Sequence, residues 1–117
     1  MYVPVLTKAV TRDGVKFPPQ ETRYAISFND DKSITIYLDR IQKTTFRVGD
    51  IAEYDSYNLR YLGEITKITQ KAITVVSHKG SSIEATHRLS LYEFCWRNDN
   101  FDLEAARAEN AETSMCI

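Results

Sequence analysis

The sequence predicts a mostly β domain, a small barrel preceded by an N-terminal β-hairpin and closed by C-terminal helices. Three observations predict it. From residue 24 onward, short runs of β-branched and aromatic residues alternate with a period of two, the pattern of strands that turn one face to a core. Polar or glycine-containing breaks such as Asn29-Asp30-Asp31-Lys32 and His78-Lys79-Gly80-Ser81 separate the runs, and short strands joined by short loops point to a barrel or sandwich. After residue 88 the period changes and helix signals begin at Ser90.

In chain order, Tyr2 to Val10 supplies the β-branched residues of a first strand, Arg12-Asp13-Gly14 a turn, and Pro18-Pro19 an extended loop. Tyr24 to Phe28 and Ile34 to Leu38 make a hairpin around the polar run Asn29-Asp30-Asp31-Lys32. Its alternation sends Tyr24, Ile26, Phe28, Ile34, Ile36 and Leu38 to the core and leaves Ser27, Thr35 and Tyr37 facing out. Four more strands follow over Phe46 to Tyr54, Arg60 to Ile68, Ala72 to Ser77 and Ser82 to His87. Their connections are Asp55-Ser56-Tyr57-Asn58, Thr69-Gln70-Lys71 and the His78 to Ser81 turn. Ile65 and Ile68, three apart, break the period of two. A bulge that turns both inward, as closing a small barrel requires, accounts for the break.

Ser90-Leu91-Tyr92-Glu93 has the form of a capping box. The helix it opens, Leu91 to Arg97, carries Leu91, Phe94 and Cys95 on one face and Tyr92 and Trp96 on another, and Asn98 stops it. Asn100 or Asp102 caps a second, alanine- and glutamate-rich helix reaching about Glu112, with Phe101 and Leu103 as its large apolar residues. The whole is one domain with three parts: 1–45, the barrel core 46–88, and the helices 89–117.

The 117 residues are 43% hydrophobic and 26% charged, with four glycines and three prolines, a globular composition that excludes disorder and low complexity. A formal net charge of -1 excludes a polycation. The charge is uneven, however. Residues 57–88 hold Arg60, Lys67, Lys71, Lys79 and Arg88 against Glu64 and Glu84, whereas beyond them Arg97 and Arg107 are outnumbered by Glu93, Asp99, Asp102, Glu104, Glu109 and Glu112. Cys95 and Cys116 are read as free thiols, and the apolar N-terminal stretch, broken by Pro4 and Lys8, as neither a leader nor a membrane span. A cytoplasmic protein is expected.

Tyr54, Tyr57 and Tyr61 with Arg60, Lys67, Lys71, Lys79 and Arg88 form the set that nucleic-acid binding uses, rings for stacking and cations for phosphate. The same residues also suit an ordinary solvated barrel. Tyr92, Trp96 and Arg97 are the candidate protein interface, because tryptophan, tyrosine and arginine dominate interface energetics, although a lone tryptophan also serves as the lid of a core. Catalytic and metal sites are not expected. Asp50 of the Asp50, Glu53, Asp55 cluster is explained by turn chemistry, and His78 and His87, neighbours across a predicted hairpin, have no evident third ligand. Cys95 on an apolar helix face reads as core, and no phosphate loop, dinucleotide fingerprint or nucleophile elbow occurs. No cofactor is implied.

Val48-Gly49-Asp50, then Tyr54, Tyr61, Gly63, Ile65 and Ile68, resembles the first half of Tudor-like and KOW-like modules of the SH3-like barrel superfamily. There a Gly-Asp turn leads into strand one and a Gly-x-Ile/Val-x-x-Ile/Val run forms the bent strand two. Ile73 to Val76, His78-Lys79-Gly80 and Ser82 to His87 follow as strand three, turn and strand four, so the resemblance covers about residues 46–87. It implies an SH3-like barrel that binds nucleic acid, peptides or methylated side chains. A methyl-cation cage needs a further aromatic near the third-strand turn, where this chain has Val76, Ser77 and His78. The leading expectation is thus a non-enzymatic module that engages nucleic acid through the 54–88 region. The alternative is a protein-interaction or assembly protein, such as an accessory or inhibitor protein of a mobile element, acting through the Tyr92/Trp96 helix, with a homodimer through it as the simplest case, or through the hairpin edge. A small hydrolase or metal-dependent enzyme is a distant third.

Overall fold

A computed structural model of the chain describes residues 1–56, 59–106 and 108; the side chains of Ser56 and Arg60 lie outside that description. Among the described residues the fold is mostly β, with strands β1 (Tyr2–Leu6), β2 (Val10–Arg12), β3 (Val15–Phe17), β4 (Glu21–Phe28), β5 (Ile34–Leu38), β6 (Ile41–Phe46), β7 (Ile51–Ser56), β8 (Leu59–Ile68), β9 (Ala72–Ser77) and β10 (Ala85–Ser90), and helix α1 (Leu91–Asn98). Two four-stranded antiparallel sheets, ordered β1-β4-β5-β6 and β10-β9-β8-β7, are accompanied by the two-stranded ribbon β2-β3. The second sheet is a meander curled into a half-barrel.

One core joins the sheets. Ile26, Ile34, Ile36 and Phe46 enter it from the first sheet, Ala52, Tyr54, Ile65, Ile73, Val75 and Leu89 from the second, and Phe94, Cys95 and Leu103 from the C-terminal segment. Phe94 meets Phe46 edge to face at 5.1 Å between ring centroids, an arrangement that favours the ring quadrupoles. The helix starts as its sequence dictates, with Ser90 Oγ accepting from the Glu93 amide at 3.2 Å. Glu93 does not complete the box; its carboxylate takes Arg97 Nε instead. Asn98, the last helical residue, is fully buried. Its amide accepts from Glu53 N and donates to Glu53 O at 2.8 and 3.2 Å, matching the hydrogen bonds of a further strand on the free edge of β7. Asp102 caps the helical turn at 103–106, accepting from the Ala105 amide at 3.0 Å.

The bulge is where the isoleucine spacing puts it. Ile65 pairs with Val75 and Ile68 with Ile73 across a register shift, so both point inward. Four expectations are corrected. The first strand ends at Leu6, and the chain turns through Asp13 and Gly14, both at positive φ, into the β2-β3 ribbon. Phe46 to Tyr54 is not one strand: Gly49 at φ 98 and Asp50 separate β6 from β7. The last strand runs three residues later than expected, from Ala85 to Ser90. Thr35 points away from the core but is buried, because Asn29 Nδ2 and Thr45 Oγ1 cover its hydroxyl at 3.0 and 2.9 Å.

Two groups in this core resist ionisation. Burial, with the charge of Asp99 second, pushes the Cys95 thiol up to about 12. Burial also raises the Tyr24 hydroxyl, which donates to Asp99 Oδ2 at 2.9 Å. Both folded values lie above the unfolded ones, so this contribution to stability is complete below the ordinary thiol value of 9.0 and is lost as pH climbs toward the raised ones. The melting temperature is expected to hold up to about pH 9 and fall steadily above it, with a shallower fall in Tyr24→Phe. An unchanged slope in that variant would contradict the assignment.

Candidate binding surfaces

Direct pairing places Tyr54 and Tyr61 side by side on the inner face of the half-barrel. Their rings stack at 5.6 Å, and Tyr54 also stacks on His87 at 4.3 Å. β7 and β10 are opposite edges of the sheet, so Tyr54 and His87 meet only because the sheet curls. Gly63 makes room for this: a Cβ there would lie 3.2 Å from Tyr54 Cε1. Tyr54, 3% exposed, is therefore a core ring, and Tyr61, at 37%, is the solvent end of the stack.

The cations are elsewhere. Thr74 pairs with Lys67 on one side and Arg88 on the other, a cross-strand row on the outer face. The bulge decides this, since it sends Ile68 inward and Lys67 outward. Lys71 is exposed in the β8–β9 turn, and Lys79 pairs with Glu64 at 2.7 Å. Among the described residues Lys67, Lys71 and Arg88 are exposed and form no ion pair. The single basic-aromatic face expected from sequence is thus divided, tyrosines inside and cations outside. Tyr57 and the Arg60 side chain lie outside the described residues.

Asp50 serves its turn, accepting from Arg47 N at 2.8 Å. His78 sits exposed at φ 52 in the turn after β9, while His87 pairs with Val75 and stacks on Tyr54. No group of three His, Cys, Asp or Glu able to hold a metal occurs among the described residues, and none of their helices is long and apolar enough to cross a membrane.

At the C-terminal helix, Arg97 is only 13% exposed. It bridges Asp55 and Glu93, each at 3.1 Å, with its guanidinium 4.1 Å from the Trp96 ring centroid. This predicted interface residue is therefore a strut between α1 and β7. Trp96 remains 43% exposed, and Tyr92, 36% exposed, leans on Tyr24. Beside Trp96 lies an open cavity of about 490 Å³ lined by Glu53, Arg97, Asp99, Phe101 and Asp102.

Sequence reasoning missed the β2-β3 ribbon, although its signal was present in Val10-Thr11-Arg12, Asp13-Gly14 and Val15-Lys16-Phe17, two alternating triplets around an Asp-Gly turn. Pairing puts Val10, Arg12, Val15 and Phe17 on one face, with Thr11 and Lys16 on the other. Every residue of both strands is exposed, and the strands pack mainly on each other. A groove of about 290 Å³ runs along the apolar face, lined by Thr7, Lys8, Val10, Arg12, Phe17 and Gln20. No family model, curated protein or solved structure matches the chain.

Proposed function

We propose that the protein is a non-enzymatic binding module whose second sheet is an SH3-like barrel, and that it engages nucleic acid through the outer face of β8–β10. The supporting observation is the Lys67–Thr74–Arg88 row, with Lys71 in the adjoining β8–β9 turn and none of the three cations tied to a carboxylate among the described residues. Unpaired cations spaced on a rigid sheet meet phosphates without first breaking an internal ion pair. Tyr61, on the opposite, inner face of the sheet, is left out of this contact, which is made to the backbone phosphates. The Gly49-Asp50 turn into β7, the bulged β8 and the four-strand meander support the barrel reading.

Fluorescence anisotropy with single- and double-stranded DNA and RNA oligonucleotides in about 20 mM salt tests this. Binding is expected, with Lys67→Glu and Arg88→Glu each weakening it about tenfold and lowering the salt slope by about one. No binding to any of the four would end the proposal. A second reading, a protein interface on α1, is favoured by the exposure of Trp96 and Tyr92, four residues apart on the helix.

A further inference from the structure

We infer that the β2-β3 ribbon is an exchange arm: in a dimer of this chain, each arm lies across the Trp96 cavity of the second copy. The inference rests on the reading of α1 as an interface and names its partner. Among the described residues, two open surfaces are complementary. The arm presents Val10, Val15 and Phe17 at 45, 55 and 42% exposure, an apolar strip on an isolated two-stranded ribbon, which is marginal in water without further packing. Lys8, Arg12 and Lys16 against Asp13 make it basic. The cavity has the opposite character, with Glu53, Asp99 and Asp102 around Trp96 and Phe101. Its one cation, Arg97, is already engaged by Asp55 and Glu93. Trp96 is thus an exposed ring ringed by acid, and the arm groove is an apolar slot flanked by Lys8 and Arg12.

The fold also places these surfaces so that exchange closes. The arm is rooted where Thr7 N donates to Gln20 O at 2.9 Å. Four residues beyond Gln20, about 13 Å along β4 at about 3.3 Å per residue, Tyr24 donates to Asp99 of the cavity lining, so β4 joins the root of the arm to the cavity. The arm extends about 20 Å from that root, at about 3.3 Å per strand residue. Two copies related by a two-fold axis can then each lay an arm over the cavity of the other, making two identical contacts and leaving no open end.

Trp96 is the only tryptophan, so its fluorescence reports the contact directly. Sedimentation and emission spectra from about 1 µM to about 1 mM in low salt are expected to show the molar mass doubling together with a blue shift, both reversed in about 0.5 M salt. Arg12→Glu and Glu53→Lys change exposed or rim side chains and are each expected to weaken association at least tenfold. An equimolar mixture of the two variants is expected to restore it, because the introduced carboxylate then faces the introduced ammonium in one contact and the other contact is native. Phe17→Ser is a second arm variant free of charge changes and is expected to weaken association as well. A wild-type chain that stays monomeric throughout overturns the inference. A dimer with the blue shift but no rescue on mixing overturns the arm assignment and leaves the α1 interface standing. A dimer without the shift removes both.

Discussion

Phe94→Ala is expected to destabilise the protein by about 3–5 kcal/mol, the range for deleting a buried phenyl ring. The ring is fully buried, and it joins α1 to both sheets. It meets Phe46 of β6 edge to face at 5.1 Å, in the same core as Ile73 and Val75 of β9. Collapse of the resulting cavity is hindered because the helix backbone is tied to β7. At the Phe94 backbone Asn98 Nδ2 donates to Phe94 O at 3.0 Å, and the same side chain holds the edge of β7. A loss of that size is a large share of a typical stability of about 5–15 kcal/mol and lowers the melting temperature by about 10–20 °C. Urea unfolding of Phe94→Ala beside Ile83→Ala, an exposed site expected to move stability by no more than about 0.5 kcal/mol, makes the comparison. A Phe94→Ala loss below about 1 kcal/mol would mean that the helix is not a structural part of the core.

The parts of this fold that local chemistry dictates were legible in the sequence. Alternation marked β4 and β5, the three-residue spacing of Ile65 and Ile68 marked the bulge, and the Ser90 cap marked the start of α1. β6 was not legible, because Ile41-Gln42-Lys43-Thr44-Thr45-Phe46 buries only Phe46 and, as an edge strand, has one paired neighbour to impose a pattern. The site was harder to read for a related reason. Lys67 shares parity with Tyr61 and Ile65, so sequence spacing alone puts cation and rings on one face; only the shift between Ile65 and Lys67 separates them. Nor does any local pattern reveal that Tyr54 meets His87, 33 positions away, which depends on the curl of the whole sheet.

That curl is testable at one position. Gly63→Val is expected to cost about 3 kcal/mol or more and Gly63→Ala about 1–2, by overpacking. Glycine inside a strand ordinarily weakens it, and alanine would gain about 0.4–1 kcal/mol through the unfolded chain if there were space. There is none. A Cβ at residue 63 falls 2.5 Å from Val75 Cγ1 and 3.0 Å from Val76 O. Val75 is fully buried on a central strand and the carbonyl belongs to the backbone of that strand, so neither moves without shifting β9. The clash therefore outweighs the entropic gain. A double-mutant cycle isolates it: Val75→Ala removes the nearest atom, so the double variant Gly63→Ala/Val75→Ala is expected to lose about 1 kcal/mol less than the sum of the single losses. Near-ultraviolet circular dichroism is expected to weaken in Gly63→Val as the Tyr54 ring is pushed from His87. Strict additivity, or a Gly63→Ala variant more stable than the parent, would show that the half-barrel relaxes at β8 and that the Tyr54–His87 stack does not depend on the missing side chain.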